Sequence, residues 1–97
     1  MDRVVYLNIL YDCYKDLFTE KQQLYFESYY WENLSLSEIA TNYHVSRNAL
    51  HNQLKIMEEK LEDLENKLGY NEKKKMVIKL LDGKVDEEIL EKIKGIL

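Results

Sequence analysis

Five polar side chains follow Ser46 at spacings that place them on the exposed side of one helix. They are Arg47, Asn48, His51, Asn52 and Lys55. Arginine and lysine can contact backbone phosphates, and asparagine can reach base edges in a major groove. Ser46 is a good N-cap, and because Ala49 rather than glutamate stands at the N3 position, the first turn stays open to an anion. We therefore expect these six residues to form a nucleic-acid-binding face.

The segment that leads into this face, Leu34–Leu50, has the layout of a helix-turn-helix. Ala40 is the small residue that a close helix crossing needs, Val45 anchors the turn, and Leu50 faces back toward the first helix. His44 occupies the position in the turn where glycine is usual, and it must adopt or avoid a left-handed conformation that glycine takes freely. The spacing of these residues therefore predicts the helix-turn-helix as structure. A further apolar contact usually follows at the position of Gln53, and Leu54 has to serve instead.

The charge of the chain argues against tight binding to DNA. The net charge is −4, and from residue 34 to residue 57 the only charged residues are Glu38, Arg47 and Lys55, a net of +1. Five acidic residues then follow before residue 68, against Lys60 and Lys67. Because proteins that bind DNA gain most sequence-independent affinity from cations, a protein–protein adaptor that has lost DNA binding stays an alternative.

The elements that position this face are helices. The chain has no proline and only three glycines, which favours an all-α fold of five or six helices. Helices are predicted over Val4–Leu17, from Thr19 to about Glu32, from Leu36 to about Tyr43, over Arg47–Leu68, over Asn71–Leu81 and after Asp86. We group them as a single domain, 1–97, with an N-terminal helix in 1–18, a helix-turn-helix core with a long recognition helix in 19–68, and a C-terminal helical pair in 70–97.

Local patterns mark the helix ends. Thr19 with Gln22, and Ser35 with Glu38, have the spacing of capping boxes. Gly69 supplies a left-handed stop for the long helix.

The apolar positions predict which faces are buried. In the first helix they are Tyr6, Ile9, Leu10, Cys13 and Leu17. In the long helix they form a heptad-like seam of Leu50, Leu54, Met57, Leu61, Leu64 and Leu68. The two C-terminal helices are together long enough to cover this seam if they lie along it in succession, but the helix over Val4–Leu17 also needs a partner. Some apolar surface is then left over for a second copy, so that a homodimer is an open alternative to a monomer.

Other chemistry finds little support. His44 and His51 have no cysteine or aspartate partner at ligand spacing, so no metal is expected. No phosphate loop or nucleophile elbow is visible, and the chain is expected to be no enzyme and to need no cofactor. No apolar run approaches the roughly 20 residues of a membrane span, and the lone Cys13 suits a reducing cytoplasm.

A set of short segments resembles a known family. The segments are Leu10-Tyr11-Asp12, Tyr14, Leu17, Thr19, Lys21-Gln22, Tyr29-Tyr30, Leu34-Ser35-Leu36, Glu38-Ile39-Ala40, Val45-Ser46-Arg47 and Ala49. Together they resemble the YlxM family of helix-turn-helix proteins, and the motif itself looks like the promoter-reading region 4 of bacterial sigma factors. The resemblance implies a cytoplasmic bacterial protein associated with the signal recognition particle pathway.

The preferred interpretation is a non-enzymatic regulatory or accessory protein that binds nucleic acid or a nucleoprotein. The partner would be DNA, the signal recognition particle RNA or a protein of that particle. A sequence-specific transcription regulator is the first alternative, and the protein–protein adaptor is the second.

Overall fold

The computed structural model describes residues 2–97, which form six α-helices joined by short turns. The helices are α1 (Arg3–Tyr14), α2 (Glu20–Tyr30), α3 (Leu36–Asn42), α4 (Arg47–Leu68), α5 (Tyr70–Leu81) and α6 (Glu87–Ile96), with a 3₁₀ turn at Lys15–Leu17. No β-strand occurs among these residues, and the predicted all-α fold is confirmed. Residues 2–97 also contain no helix with the length and apolar character that crossing a membrane requires.

The predicted caps explain where the helices begin. The Thr19 hydroxyl accepts from the Gln22 amide at 3.1 Å while the Gln22 side chain accepts from the Thr19 amide at 3.0 Å. Ser35 and Glu38 make the same reciprocal pair, at 3.1 Å in both directions. Each capping box satisfies two amides that a helix end leaves without partners. Gly69 ends α4 with φ 62°, in the predicted left-handed conformation.

The turn of the helix-turn-helix is left-handed at His44, with φ 55°. Histidine therefore takes the conformation that glycine usually supplies, which is strained for a side chain with a Cβ. The amide of Val45 compensates in part by donating to the Ala40 carbonyl at 3.0 Å. Asn33, before α3, is also left-handed with φ 56°, and asparagine tolerates this conformation better than most residues.

Two apolar clusters share α4 between them. The first cluster is held by α1, α2 and the second half of α4; its buried residues are Leu7, Leu10, Tyr11, Tyr14, Phe18, Phe26, Met57 and Leu61. The second cluster is the core of the helix-turn-helix; its buried residues are Tyr25, Ile39, Ala40, Leu50 and Leu54. Helix α4 thus joins the two clusters.

The predicted face of α1 is partly wrong. Leu10 is buried, but Leu7, Tyr11 and Tyr14 accompany it in the first cluster, while Leu17 is 55% exposed. The helix ends at Tyr14 and continues as a 3₁₀ turn, so that the 3.6-residue period no longer carries Leu17 to the buried side. Of the other predicted positions, Tyr6 and Cys13 pack against the first cluster from its edge, and Ile9 is partly exposed.

The predicted seam of α4 is correct only as far as Leu61. Leu64 is partly buried, Leu68 is 51% exposed, and Glu65 takes the buried position between them. The C-terminal helices do not lie along this seam, because α4 packs mainly against α1, α2 and α3, whereas α5 packs mainly against α1 and α6. The connection at Gly69 turns α5 toward α1 and leaves the three preceding helices on the seam.

Candidate nucleic-acid interface

The first half of α4 presents the predicted binding residues at the surface. Ser46, Arg47, Asn48, His51, Asn52 and Lys55 are all exposed. Their orientation follows from the opposite side of the same turns, where Leu50 and Leu54 are buried against Ile39 and Ala40 of α3. The helix-turn-helix core therefore fixes which side of α4 faces outward.

The amino-terminal end of α4 is capped once and otherwise open. The Ser46 hydroxyl accepts from the Ala49 amide at 3.0 Å, and within residues 2–97 the amides of Arg47 and Asn48 have no hydrogen-bond partner. The first turn contains no acidic residue. Free amides and the positive end of the helix dipole favour an anion at this place.

Three of the polar residues form a line along α4. Asn48, Asn52 and Lys55 follow each other at steps of four and three residues, on the side away from Leu50 and Leu54. This line has the form of a recognition helix that offers amides to base edges and a cation to a phosphate.

His51 lies to one side of this line. It borders a pocket of about 320 Å³ together with Lys55, and the pocket is also lined by Tyr29, Tyr30, Leu36, Leu54 and Glu58. The structure therefore places His51 toward α2 and α3, whereas the asparagines face outward.

The two cations of the face are available to a ligand. Neither Arg47 nor Lys55 makes an ion pair with any other residue in the part of the chain that the structure describes. Arg3, in contrast, is held by Glu62 at 2.6 Å and by Glu58 at 3.9 Å. Cations without an internal partner are the ones that can replace counterions on a phosphate backbone.

Sequence reasoning missed Lys21 as a neighbour of this face. A pocket of about 370 Å³ separates the start of α2 from α4, and Lys21 and Gln22 line it opposite Ala49 and Gln53. The Lys21 ammonium lies 5.9 Å from the ring centre of Tyr25. No local pattern could have indicated this position, because Lys21 and Arg47 lie 26 positions apart in the chain.

Most acidic residues in the second half of α4 hold other helices in place. Glu58 accepts a short hydrogen bond from the Tyr30 hydroxyl, and Glu62 pairs with Arg3. Asp63 pairs with Lys67 at 3.0 Å. Glu59, exposed and one turn beyond Lys55 on the outward line, has no hydrogen bond or ion pair with another side chain of residues 2–97.

Glu65 is the most buried of these carboxylates, at 7% exposure. It accepts from the Tyr14 hydroxyl at 2.6 Å and from the amides of Asn71 and Glu72 at 3.1 and 3.2 Å. Helix α5 begins after Gly69, which has no side chain to cap it, so Glu65 provides the cap from the preceding helix. The same carboxylate thereby connects α1, α4 and α5.

The tyrosines that donate to carboxylates have raised pKa values. Burial, followed by the hydrogen bond to Glu65, raises the pKa of Tyr14 to about 12. Burial and the hydrogen bonds to Glu27 and Glu58 raise the pKa of Tyr11 and of Tyr30 above the ordinary range. All three hydroxyls therefore remain protonated donors at neutral pH.

The Cys13 thiol is a poor nucleophile, and potential metal ligands are not clustered within residues 2–97. Cys13 is partly buried, and burial raises the pKa of its thiol, which disfavours the reactive thiolate. Among residues 2–97 no group of three histidine, cysteine, aspartate or glutamate side chains could hold a metal ion.

Comparison with known proteins identifies relatives along nearly the whole chain. A family model described as "Putative helix-turn-helix protein, YlxM / p13 like" matches residues 1–96. A UPF0122 protein of Desulforamulus reducens is 48% identical over 101 residues, which cover 94% of this chain and 86% of that protein. A UPF0122 protein of Bacillus licheniformis is 39% identical over 97 residues, which cover 93% and 91%.

Proposed function

The chain belongs to the YlxM/p13-like family of helix-turn-helix proteins, and from this premise we propose that it is a non-enzymatic regulatory or accessory protein that binds nucleic acid. The first half of α4 is the proposed contact surface. The observation that carries this proposal is the combination of an open helix start, two unpaired cations and an outward line of asparagines on one exposed face.

Each part of the face has a distinct role in the proposal. The free amides at the start of α4, together with Arg47 and Lys55, contact phosphates and set the position of the helix. Asn48 and Asn52 face the base edges, where an amide can form the paired hydrogen bonds that distinguish adenine. Lys21, across the pocket at the start of α2, adds a phosphate contact beside the helix.

The acidic half of α4 does not rule out this surface. Its carboxylates are mostly engaged with Arg3, Tyr14, Tyr30 and Lys67, and they follow the binding face along the helix. The unpartnered Glu59 and the net charge of −4 still limit affinity. These charges favour a specific, modest-affinity ligand over general DNA binding, and they are the reason for retaining a protein adaptor as the second candidate.

The nucleic acid itself distinguishes the finer versions of the proposal. Duplex DNA of defined sequence would make the protein a transcription regulator. The signal recognition particle RNA, suggested by the sequence resemblance, would make it an accessory protein of that cytoplasmic pathway.

The test is a binding titration of the full chain against duplex DNA, signal recognition particle RNA and the GTPase of the particle, at two salt concentrations, with the duplexes selected from a random-sequence pool by their binding. Binding to a nucleic acid is expected to weaken as salt rises, and Arg47→Ala and Lys55→Ala should each reduce the slope of that dependence by about one. Lys67→Ala is the matched control, since Lys67 pairs with Asp63 near the far end of α4, and it should leave both slope and affinity nearly unchanged.

Two results of the titration would contradict the proposal. An affinity for nucleic acid that does not change with salt, or that survives both substitutions, would remove the Arg47–Lys55 face as the site. Salt-independent binding to the GTPase alone would favour the adaptor.

A further inference from the structure

Helices α5 and α6 leave much apolar surface uncovered. Within residues 70–97 only Asn71 and Leu90 are buried. The large apolar side chains exposed on these two helices are Met76, Val77, Leu80, Ile89 and Ile96. A pair of helices that packed only on its own chain would turn such residues inward.

One face of α5, called the strip below, carries exposed apolar residues and Lys73 and reaches the end of α4. Lys73, Val77 and Leu80 follow one another at steps of four and three residues and so share one face of the helix. Lys73 also borders a mostly apolar cavity of about 490 Å³, together with Leu17 and Leu68. Because Leu17 and Leu68 are each about half exposed, the strip extends from Leu80 into this cavity.

The two helices carry opposite charges that are not neutralised by each other. In α5 four lysines oppose the single Glu72, and in α6 with its cap four acidic residues oppose Lys92 and Lys94. The ion pairs of this region all lie within one helix: Lys75–Glu72, Lys92–Glu88 and Lys94–Glu91. Nowhere in residues 70–97 does a lysine of α5 pair with an acid of α6, and the complementary charges remain available to another molecule.

We infer that this surface binds a second copy of the chain, with α5 of each copy packed on α6 of the other. A two-fold axis brings the same patch of both copies together, so the basic helix of one meets the acidic helix of its partner twice. A standard stable interface buries about 800 Å² per partner, and the exposed apolar side chains of α5 and α6, up to 84% exposed at Ile96, would supply its apolar centre.

The position of this surface is compatible with binding at the other end of α4. Helix α5 starts after the last of the 22 residues of α4, about 33 Å along the axis from Arg47. A dimer formed through α5 and α6 therefore leaves both helix-turn-helix units free. The inference does not depend on nucleic-acid binding, since it concerns the association of the protein alone.

The first test is sedimentation of the full chain over a hundredfold concentration range around 10 μM. We expect twice the 11.7 kDa chain mass at the upper end. Leu80→Glu should raise the dissociation constant at least tenfold. Leu24→Glu, at an exposed position of α2, is the matched control and should sediment like the original chain, with circular dichroism confirming that both variants fold. A monomer throughout, or equal effects of the two variants, would overturn the inference.

The second test distinguishes the crossed arrangement from other dimers. If two copies of a chain with Lys73→Glu and Lys79→Glu dimerised, an acidic α5 would meet an acidic α6. In a chain with Glu87→Lys and Glu88→Lys, a basic α6 would meet a basic α5. Each should be a monomer alone, and an equimolar mixture should form a heterodimer. Salt should weaken the original dimer because it screens opposite charges. A dimer strengthened by salt, or no heterodimer in the mixture, would exclude the packing of α5 on α6.

Discussion

The two halves of α4 differ in charge and in partners, although they form one uninterrupted helix. In residues 47–56 the only charged side chains are Arg47 and Lys55, and both are unpaired within residues 2–97. In residues 57–68 five acidic side chains accompany two lysines, and four of the acids bind α1, α2, α5 or a neighbouring lysine. Each half also belongs to a different apolar cluster.

Most acidic side chains in the second half of α4 contact other helices of the chain and do not form an acidic surface. Counted along the sequence, the acids oppose contact with nucleic acid. In the fold, Glu58, Glu62 and Glu65 instead face helices of their own chain. The position of the acids along the sequence is therefore a poor guide to which surface meets a ligand. A tyrosine hydroxyl is neutral and offsets no charge, so Glu62 and Asp63 are the acids with a close cationic partner, and the net charge still limits affinity.

The largest effect should come from breaking the core beneath the second half. Leu61→Asp places a charge at a position with 0% exposure, in the first apolar cluster. The free energy of unfolding, measured by urea denaturation, should fall by several kcal/mol, about 3–5, because no group is available to pair with the new carboxylate. Asn66→Asp, on the exposed side of the same helix, should change it by less than about 0.5 kcal/mol. Equal losses would mean that the buried face has been assigned to the wrong side.

The next effect concerns the carboxylate that caps α5. Glu65→Ala removes the acceptor of the Tyr14 hydroxyl and of two α5 amides, and the loss of stability should be about 2–4 kcal/mol. Hydrogen exchange should accelerate at Asn71 and Glu72, while the amides of α3 keep their protection. Unchanged exchange at the start of α5 would show that the cap is dispensable.

A smaller effect should appear in alkaline solution. The pKa of Tyr14 is raised by burial and by Glu65 to about 12, against about 10 in an unfolded chain. The native state therefore prefers the protonated phenol, and its contribution to stability is complete below about pH 10 and is lost as pH rises toward about 12. Thermal melts between pH 9 and 12 should show this decline. Tyr14→Phe should have a lower melting temperature at pH 8 and a shallower decline; an equally steep decline would assign the effect to other tyrosines.

The smallest effect, on nucleic-acid affinity, should show where the contact surface ends along α4. Glu59→Gln removes the unpartnered carboxylate that follows Lys55 on the outward line, and it should tighten nucleic-acid binding about twofold at low salt. Asp63→Asn lies one turn further away and loses a carboxylate already paired with Lys67, so its effect should be smaller. A filter-binding or fluorescence titration compares the two directly, and a larger effect at Asp63 would move the contact surface into the second half.

The sequence by itself determined the elements whose causes are local. The capping boxes at Thr19 and Ser35 and the stop at Gly69 depend on residues within one turn of each other. Accordingly the bounds of α4 and the helix-turn-helix were predictable. The exposure of the six polar residues from Ser46 to Lys55 was predictable as well, because Leu50 and Leu54 fix the opposite side of the same turns.

Only the tertiary structure decided which competing face is buried and where each charge finds its partner. In α1 both leucines and tyrosines are suitable for a core, and a helix rotated by part of a turn buries a different set, so periodicity alone did not select Tyr11 and Tyr14 over Leu17. Glu65 is buried because Tyr14, 51 residues earlier in the chain, and the start of α5 meet there. Contacts of such separation depend on the path of the whole chain, and no local pattern encodes them.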